Sequence, residues 1–552
     1  MLAGVLSIGY KRSGMQNFPH REKTLNLTLG LAAPSDMVAD IALDARISPL
    51  PLVVGELENF AASVDMVLIV AEQDLDPRIV SLLFGPDPEF RTALSRACDA
   101  AHVPIVLWRL DDLVSLRDCA QFAGICSAIF AARPELSNAK FPAQILPVAV
   151  QVARYNPYQP IHAYLEAASC TDVAYFGSAL EEFAVSPLNL KSTDSSDPDA
   201  RAQFLRASLA AVIDCRQFPV TRLEALVLQA VASGTVPVLF GGPKLSAEIS
   251  AICSFAKTPG EIAEMIDALR GNPLDTRKRA HIGWRMAFKD HALMLRLDQM
   301  ARAVNLSSGW EPYPPVTVFV PTFRAEFLGR CLENYRKQTY PNRELILALH
   351  SDAPPRGEID AIRANNGDVR IVCMPREETV GGLMNLAIHH ASGVYCVKMD
   401  DDDYYGENYV MDMILAQRAL ELDIFGKPPA FTYFEASDQT CLRKSVSGKE
   451  NCLVDAKSLI SKNFRITGST HSGKTEFLRT VMFCDHARGS ADTALYERCE
   501  KQEIVCATLD VFNTAAFRSA DQSKHTWRQD DKQLLRGATS VGRGYRSEVV
   551  EI

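Results

Sequence analysis

No apolar run in this 552-residue sequence approaches the ~18–20 residues that a membrane-spanning helix needs. The opening stretch MLAGVLSIGYKRSGMQNFPHREK also lacks an apolar segment of signal-peptide length, so the cytoplasm is the expected compartment. An excess of positive charge is missing too. The 58 Lys and Arg stand against 67 Asp and Glu, a net charge of −9, which argues against a general nucleic-acid-binding surface. The 14 cysteines include no C-x-x-C pair, and the closest ones, Cys119/Cys126 and Cys499/Cys506, have six residues between them. That spacing builds no zinc knuckle, so reduced and mostly buried thiols are expected. There is no internal repeat and no low-complexity tract.

What is present is an ordinary globular composition, 47% hydrophobic and 23% charged. The chain is too long for one core, and at ~100–200 residues per domain it suggests about three or four folding units. In the first half, β-type runs alternate with helical patterns: VDMVLIVA (64–71), VPIVLW (103–108), DVAYFGS (172–178) and TVPVLFGG (235–242). The segment SSGWEPYPP (307–315) then reads as a linker. Beyond it the alternation resumes with VTVFVP (316–321), ELILAL (344–349), VRIVCM (369–374) and VYCVKM (394–399). Between the first two of these, Phe327, Leu328, Cys331, Leu332 and Tyr335 fall on one helical face. Both halves are therefore expected to be α/β with parallel sheets, and the second half, from about Ser307, is expected to fold alone.

The most informative stretch follows the last of these strands: MDDDDYYGENY, with Asp400, Asp401, Asp402 and Asp403 in succession. Four adjacent carboxylates repel one another, and a fold accommodates them in water or around a shared cation. Hard divalent ions such as Mg²⁺ or Mn²⁺ take such oxygen ligands, and strand ends in open α/β sheets are where ligands sit. A solvated acidic turn is the plain alternative.

A second pattern competes for attention. ITGSTHSGKTEF (466–477) contains Gly468-x-x-x-x-Gly473-Lys474-Thr475, a letter-for-letter P-loop match, and IVCATLD ends an apolar run on Asp510 like a Walker B strand. A P-loop needs a buried strand before it and a parallel core after it. Only 78 residues follow Lys474, and Lys462, Asn463 and Arg465 interrupt the preceding segment. A chance match is the expectation.

From Pro315 to Asp403 the sequence resembles the nucleotide-sugar-binding half of family 2 glycosyltransferases of the GT-A fold. The resemblance rests on VTVFVPTF, CLENYRKQTYPNRELIL and GGLMNLAIHHASGVYCVKMDDDD, followed by ARGSADTAL on the acceptor side. It implies that Asp400 and Asp402 are the D-x-D carboxylates that hold the metal, with Asp403 as a substitute and His525, in the triplet HTW, as a further ligand. Pro321, Thr322, Arg324 and Asn385 fall where the family binds the donor. The family's acidic pair after the second strand is replaced by LALHSDAPP, so His350 or Asp352 takes the base-binding place. Asp492 matches the general base, with a helix N-cap as its alternative role, and Asp485 is the reserve. The first half resembles CgeB-type glycosyltransferases of the GT-B fold in VPIVLWRLDD, CSAIFAARPE, ILPVAVQVARYNPYQP, DVAYFGS and FPVTRLEALVLQAVASGTVPVLFGG. There Glu224 would contact a ribose and Arg222 a diphosphate. Only 43 residues separate Ser178 from Arg222, so this Rossmann-like region is abridged and is expected to be accessory.

The resemblances together imply a GT-B-like region over 1–306, with lobes about 24–160 and 161–306, a linker at 307–315, a GT-A catalytic domain over 316–535 and a tail at 536–552. They imply an inverting, Mn²⁺- or Mg²⁺-dependent transfer from a nucleoside-diphosphate sugar to a glycan or lipid-linked acceptor, in bacterial surface polysaccharide synthesis. No nucleic acid is expected as partner, and peripheral contact with a membrane is left open. The rival readings are a non-catalytic sugar-nucleotide-binding scaffold and a P-loop phosphohydrolase using Lys474.

Overall fold

The protein is described by a computed structural model covering residues 24–112, 114–139, 141–160, 173–178, 190–192, 197–444, 449–461, 464–483, 491–521 and 530–552. The eight apolar runs read as strands all form strands, from Met66–Ala71 and Ile105–Arg109 through Val173–Phe176 and Val236–Phe240 to Val316–Thr322, Arg343–His350, Val369–Met374 and Tyr395–Lys398. Runs such as MVLIVA are buried at every position, as strands covered by helices on both faces must be.

The first half holds two parallel sheets. One has six strands in the order Arg46–Pro49, Thr28–Ala32, Met66–Ala71, Ile105–Arg109, Ala128–Ala131, Gln144–Ile145. The other has five, in the order Ser254–Ala256, Val236–Phe240, Ala210–Asp214, Val173–Phe176, Leu190–Ser192. The second half is built on a mixed sheet in which Val369–Met374, Arg343–His350, Val316–Thr322 and Tyr395–Lys398 lie side by side and parallel. The chain steps outward from Val316–Thr322 through the next two strands, then crosses back to place Tyr395–Lys398 on the opposite flank. That reversal opens a crevice at the carboxyl ends of Val316–Thr322 and Tyr395–Lys398, the point where ligands enter such sheets.

A smaller sheet packs beside this edge, in the order Tyr404–Tyr405, Thr514–Arg518, Phe431–Phe434, Gln439–Arg443, Ala538–Arg543. The residues expected as a tail therefore supply its edge strand, and Val550 behind it is fully buried. Among the described residues no helix is long and apolar enough to cross a membrane.

The two halves share one core. The short strand Gln159–Pro160 closes the edge of the mixed sheet by pairing with Cys452–Asp455, and one apolar cluster runs from Leu25 to Leu509 across both halves. The linker is pinned rather than free: Ser308 O accepts from Asn26 N at 2.8 Å, Pro314 O accepts from the Tyr340 hydroxyl at 2.7 Å, and Arg418 lies over Trp310 and Tyr313. A chain starting at Ser307 loses this cover and strips the cations from the buried Asp412, a loss of ~3–5 kcal/mol by itself. We expect such a fragment to be recovered as aggregate while the full chain is soluble. A soluble 307–552 monomer with cooperative thermal unfolding would contradict the shared core.

Candidate active site

The acidic turn sits at the crevice. The turn bends between two strands, and its carboxylates divide: Asp401 and Asp403 are buried, Asp400 and Asp402 partly open. Asp401 turns inward and is 3% exposed. It accepts hydrogen bonds from the Thr322 hydroxyl and from the Arg324 guanidinium, whose Nε lies 2.9 Å away. Asp400 and Asp402 remain partly open to the crevice. Arg324 also reaches Asp402 at 2.8 Å, so one guanidinium bridges two carboxylates. Burial works against the charge of Arg324, but Asp401 and Asp402 outweigh it and its pKa is raised.

Asp400 is held from the other side. Lys398 Nζ lies 2.7 Å from Asp400 Oδ1 and donates to Gly468 O at 2.7 Å. The backbone N–H of Asp400 donates to the Tyr405 hydroxyl at 2.7 Å. Lys398 is buried, which disfavours its charge, yet Asp400 and Asp492 raise its pKa. Asp403 is buried and accepts from Phe517 N at 3.0 Å. Burial first, then the neighbouring Asp402 and Asp400, push its pKa up to about 8. Burial and the Asp401 charge raise Asp402 as well. The donor set is thus all carboxylate oxygen, with negative charge in excess of what Arg324 and Lys398 supply, and it suits a hard divalent ion.

Asp492 joins the same assembly. It lies in the first turn of the helix Ala491–Lys501, past its start rather than at an N-cap. His471 Nδ1 is 3.7 Å from Asp492 Oδ1 and 3.2 Å from Gly468 O. Gly468 backs directly onto it, since a Cβ there would stand 3.3 Å from Asp492 Oδ2. The link from Asp400 through Lys398 and Gly468 to Asp492 is therefore continuous. Asp485 and His525 lie outside the described residues.

The remaining candidates are placed as follows. Pro321 and Thr322 end the strand at the crevice, and Thr322, 3% exposed, serves Asp401. His350, at the end of its strand, is buried with Nε2 unpartnered, while Asp352 accepts from Arg376 N at 2.8 Å. Asn385 spends both ends of its amide on the backbone of Phe483, at 2.6 and 2.8 Å, which is a packing role. Glu224 is 2% exposed and engaged by Arg133 at 2.9 Å and Ser246 N at 2.8 Å, and Arg222 faces Asp36 at 3.6 Å.

The P-loop match is not a phosphate cradle. Ser472–Lys474 is a short strand between Tyr395–Lys398 and Ile424–Gly426, antiparallel to both. A Cβ on Gly473 would meet Asp423 O at 2.2 Å, and Lys474 pairs with Asp423 at 2.9 Å. The glycine is there for close strand packing. Asp510 pairs with the buried Lys427 at 2.6 Å. His281, Asp412 and Asp510 lie close enough together to share a metal, but Arg285 on Asp412 and Lys427 on Asp510 already balance both carboxylates.

Sequence reasoning missed Lys398, Tyr405 and His471, and it gave Asp401 no role apart from its three neighbours. Lys398 had a signal, being a cation inside the otherwise apolar run VYCVKM. His471 was hidden within the P-loop look-alike.

Residues 317–435 match the family model described as Glycosyl transferase family 2. Two relatives from Streptococcus pneumoniae serotype 4 are similar over short stretches: Glycosyltransferase GlyG, 29% identical over 111 residues, and Glycosyltransferase GlyA, 30% identical over 97. These stretches are 20% and 17% of this chain, and they span only 37% and 14% of the relatives' own lengths. Solved structures with partial likeness include S. aureus TarS 1-349 (16% identity, TM-score 0.28, covering 37% of this chain and 60% of that one). Another is the mannosyltransferase PcManGT from Pyrobaculum calidifontis, solved with GDP-Man and Mn²⁺ (19%, TM-score 0.29, covering 41% and 62%). Overlaps of that extent assign nothing to this chain.

The division of labour among neighbouring carboxylates is measurable. Asp402→Asn removes a repelling, partly open charge and should leave the thermal midpoint unchanged or higher. Asp401→Asn leaves Arg324 without its buried partner and should cost about 2–4 kcal/mol. Equal effects in thermal unfolding would show that the two point the same way.

Proposed function

We propose that the chain is a glycosyltransferase that moves a sugar, with inversion, from a nucleoside-diphosphate donor to a glycan or lipid-linked acceptor, as in bacterial surface polysaccharide synthesis. In this reading 316–535 is the GT-A catalytic domain, and the lobes about 24–160 and 161–306 are a GT-B-like accessory region. The observation that carries it is the pair of partly open carboxylates, Asp400 and Asp402, at the strand-order reversal of a family 2 domain, linked through Lys398 and Gly468 to a third, Asp492.

Asp400 and Asp402 would hold Mg²⁺ or Mn²⁺, with Asp403 and His525 as further candidates, and the ion supplies positive charge against the departing diphosphate. Around that centre the side chains divide the work. Arg324 and Lys398 keep the carboxylates fixed at the crevice. Pro321 and Thr322 border the donor, and His350 and Asp352, at the end of the adjacent strand, stand beside its base. Asp492 takes the proton from the acceptor hydroxyl as that oxygen bonds to the anomeric carbon and the bond to the diphosphate breaks on the opposite face.

Substituting Asp492 separates proton transfer from donor binding. Asp492→Asn should keep nucleotide and Mn²⁺ affinity and lower the transfer rate roughly 10²–10⁴-fold, read from initial rates of product formation. Transfer at near the original rate would remove Asp492 from the base role, and loss of donor binding would move its carboxylate into the donor site.

A further inference from the structure

The helix Tyr409–Leu420 is buried along nearly its whole length and carries a carboxylate, Asp412, with no exposure at all. That carboxylate is met from the N-terminal half. Arg285 donates to it twice, from Nε at 2.6 Å and Nη2 at 2.8 Å, and His281 Nε2 lies 2.9 Å away. Both stand on the helix Pro273–Asp290. Asn513 Nδ2 adds a fourth contact at 2.8 Å. Burial would raise the pKa of Asp412, but the two partners outweigh it and hold the group well below the usual carboxylate range.

One turn earlier on the same helix, Tyr409 donates its hydroxyl to Lys398 O at 2.8 Å. Its ring packs edge-on against Tyr405, with centroids 4.8 Å apart. The Tyr405 hydroxyl in turn accepts from Asp400 N and donates to Ser469 O at 3.1 Å. A single rigid helical turn therefore separates the clamp on Asp412 from the shelf under Lys398 and Asp400. Two other groups of the N-terminal half bear on chemistry among the described residues. Glu224 is consumed by Arg133 and Ser246, and in the small pocket of about 30 Å³ that Arg222 lines, Arg222 faces Asp36 while Asp40 pairs with Arg154.

We infer that Arg285 and His281 are positioning residues for the acidic turn: the N-terminal half fixes the depth and rotation of Tyr409–Leu420, and through Tyr409 and Tyr405 it fixes Lys398 and Asp400. The functional importance of that turn rests on the transferase reading above; the mechanical coupling does not. Two variants of the full chain test it. Arg285→Met combined with Asp412→Leu replaces a buried ion pair by apolar side chains, an exchange folds often tolerate. Tyr409→Phe deletes only the hydroxyl that joins the helix to Lys398. Hydrogen exchange should accelerate at least about tenfold at residues 396–405 in both variants and stay unchanged in Met66–Ala71, and the rate of nucleotide release should fall by about the same factor. If the double variant aggregates, Tyr409→Phe decides alone. Wild-type exchange at 396–405 in that variant overturns the coupling. Accelerated exchange in a chain that transfers no sugar supports the coupling while removing the transferase reading.

Discussion

Mutual repulsion among four successive carboxylates at the end of a buried strand is the constraint around which the second half is arranged. Left alone, Asp400 to Asp403 would push the turn apart. The fold answers with two cations from different elements, Arg324 beyond one strand end and Lys398 within the next, and with backbone and hydroxyl donors to Asp401 and Asp403. Burial, and behind it the neighbouring carboxylates, still raises the pKa of Asp402 and Asp403. The turn keeps residual negative charge at the strand ends, the charge on which the proposed metal and donor binding rests.

The same charge logic distinguishes the two halves. In the second half Asp400 and Asp402 stay partly open at the strand ends. In the first, charged groups pair with one another across the lobes: Arg133 with Glu224, Arg154 with Asp199, and Arg222 with Asp36. Ion pairs closed in this way spend their hydrogen-bonding capacity internally. The buried clamp on Asp412 shows where the first half directs its cations instead, which is into the support of its neighbour.

The strands were legible because parallel strands covered on both faces must be apolar throughout, and runs such as MVLIVA or LILAL leave no alternative. The acidic turn was legible because four carboxylates in a row need a reason. The pairing that organises it was not, since Thr322 and Arg324 lie 77 to 79 residues from Asp401 in sequence and a lone Arg after a strand reads equally well as surface. The P-loop look-alike misleads for a local reason: Gly473 answers strand packing against Asp423, a tertiary demand invisible in a motif. The linker and tail were read from proline and position, yet both are held by hydrogen bonds to distant segments.

The central claim is that the crevice at Asp400 and Asp402 binds and activates a nucleotide sugar with a divalent ion. The most direct test is to incubate the purified full chain with a panel of nucleoside-diphosphate sugars, with Mn²⁺ or with EDTA, and to measure release of the free nucleotide. The account predicts release from one or a few donors in Mn²⁺ and its loss in EDTA. Release that EDTA leaves untouched, or none from any donor with Mn²⁺ present, would contradict it.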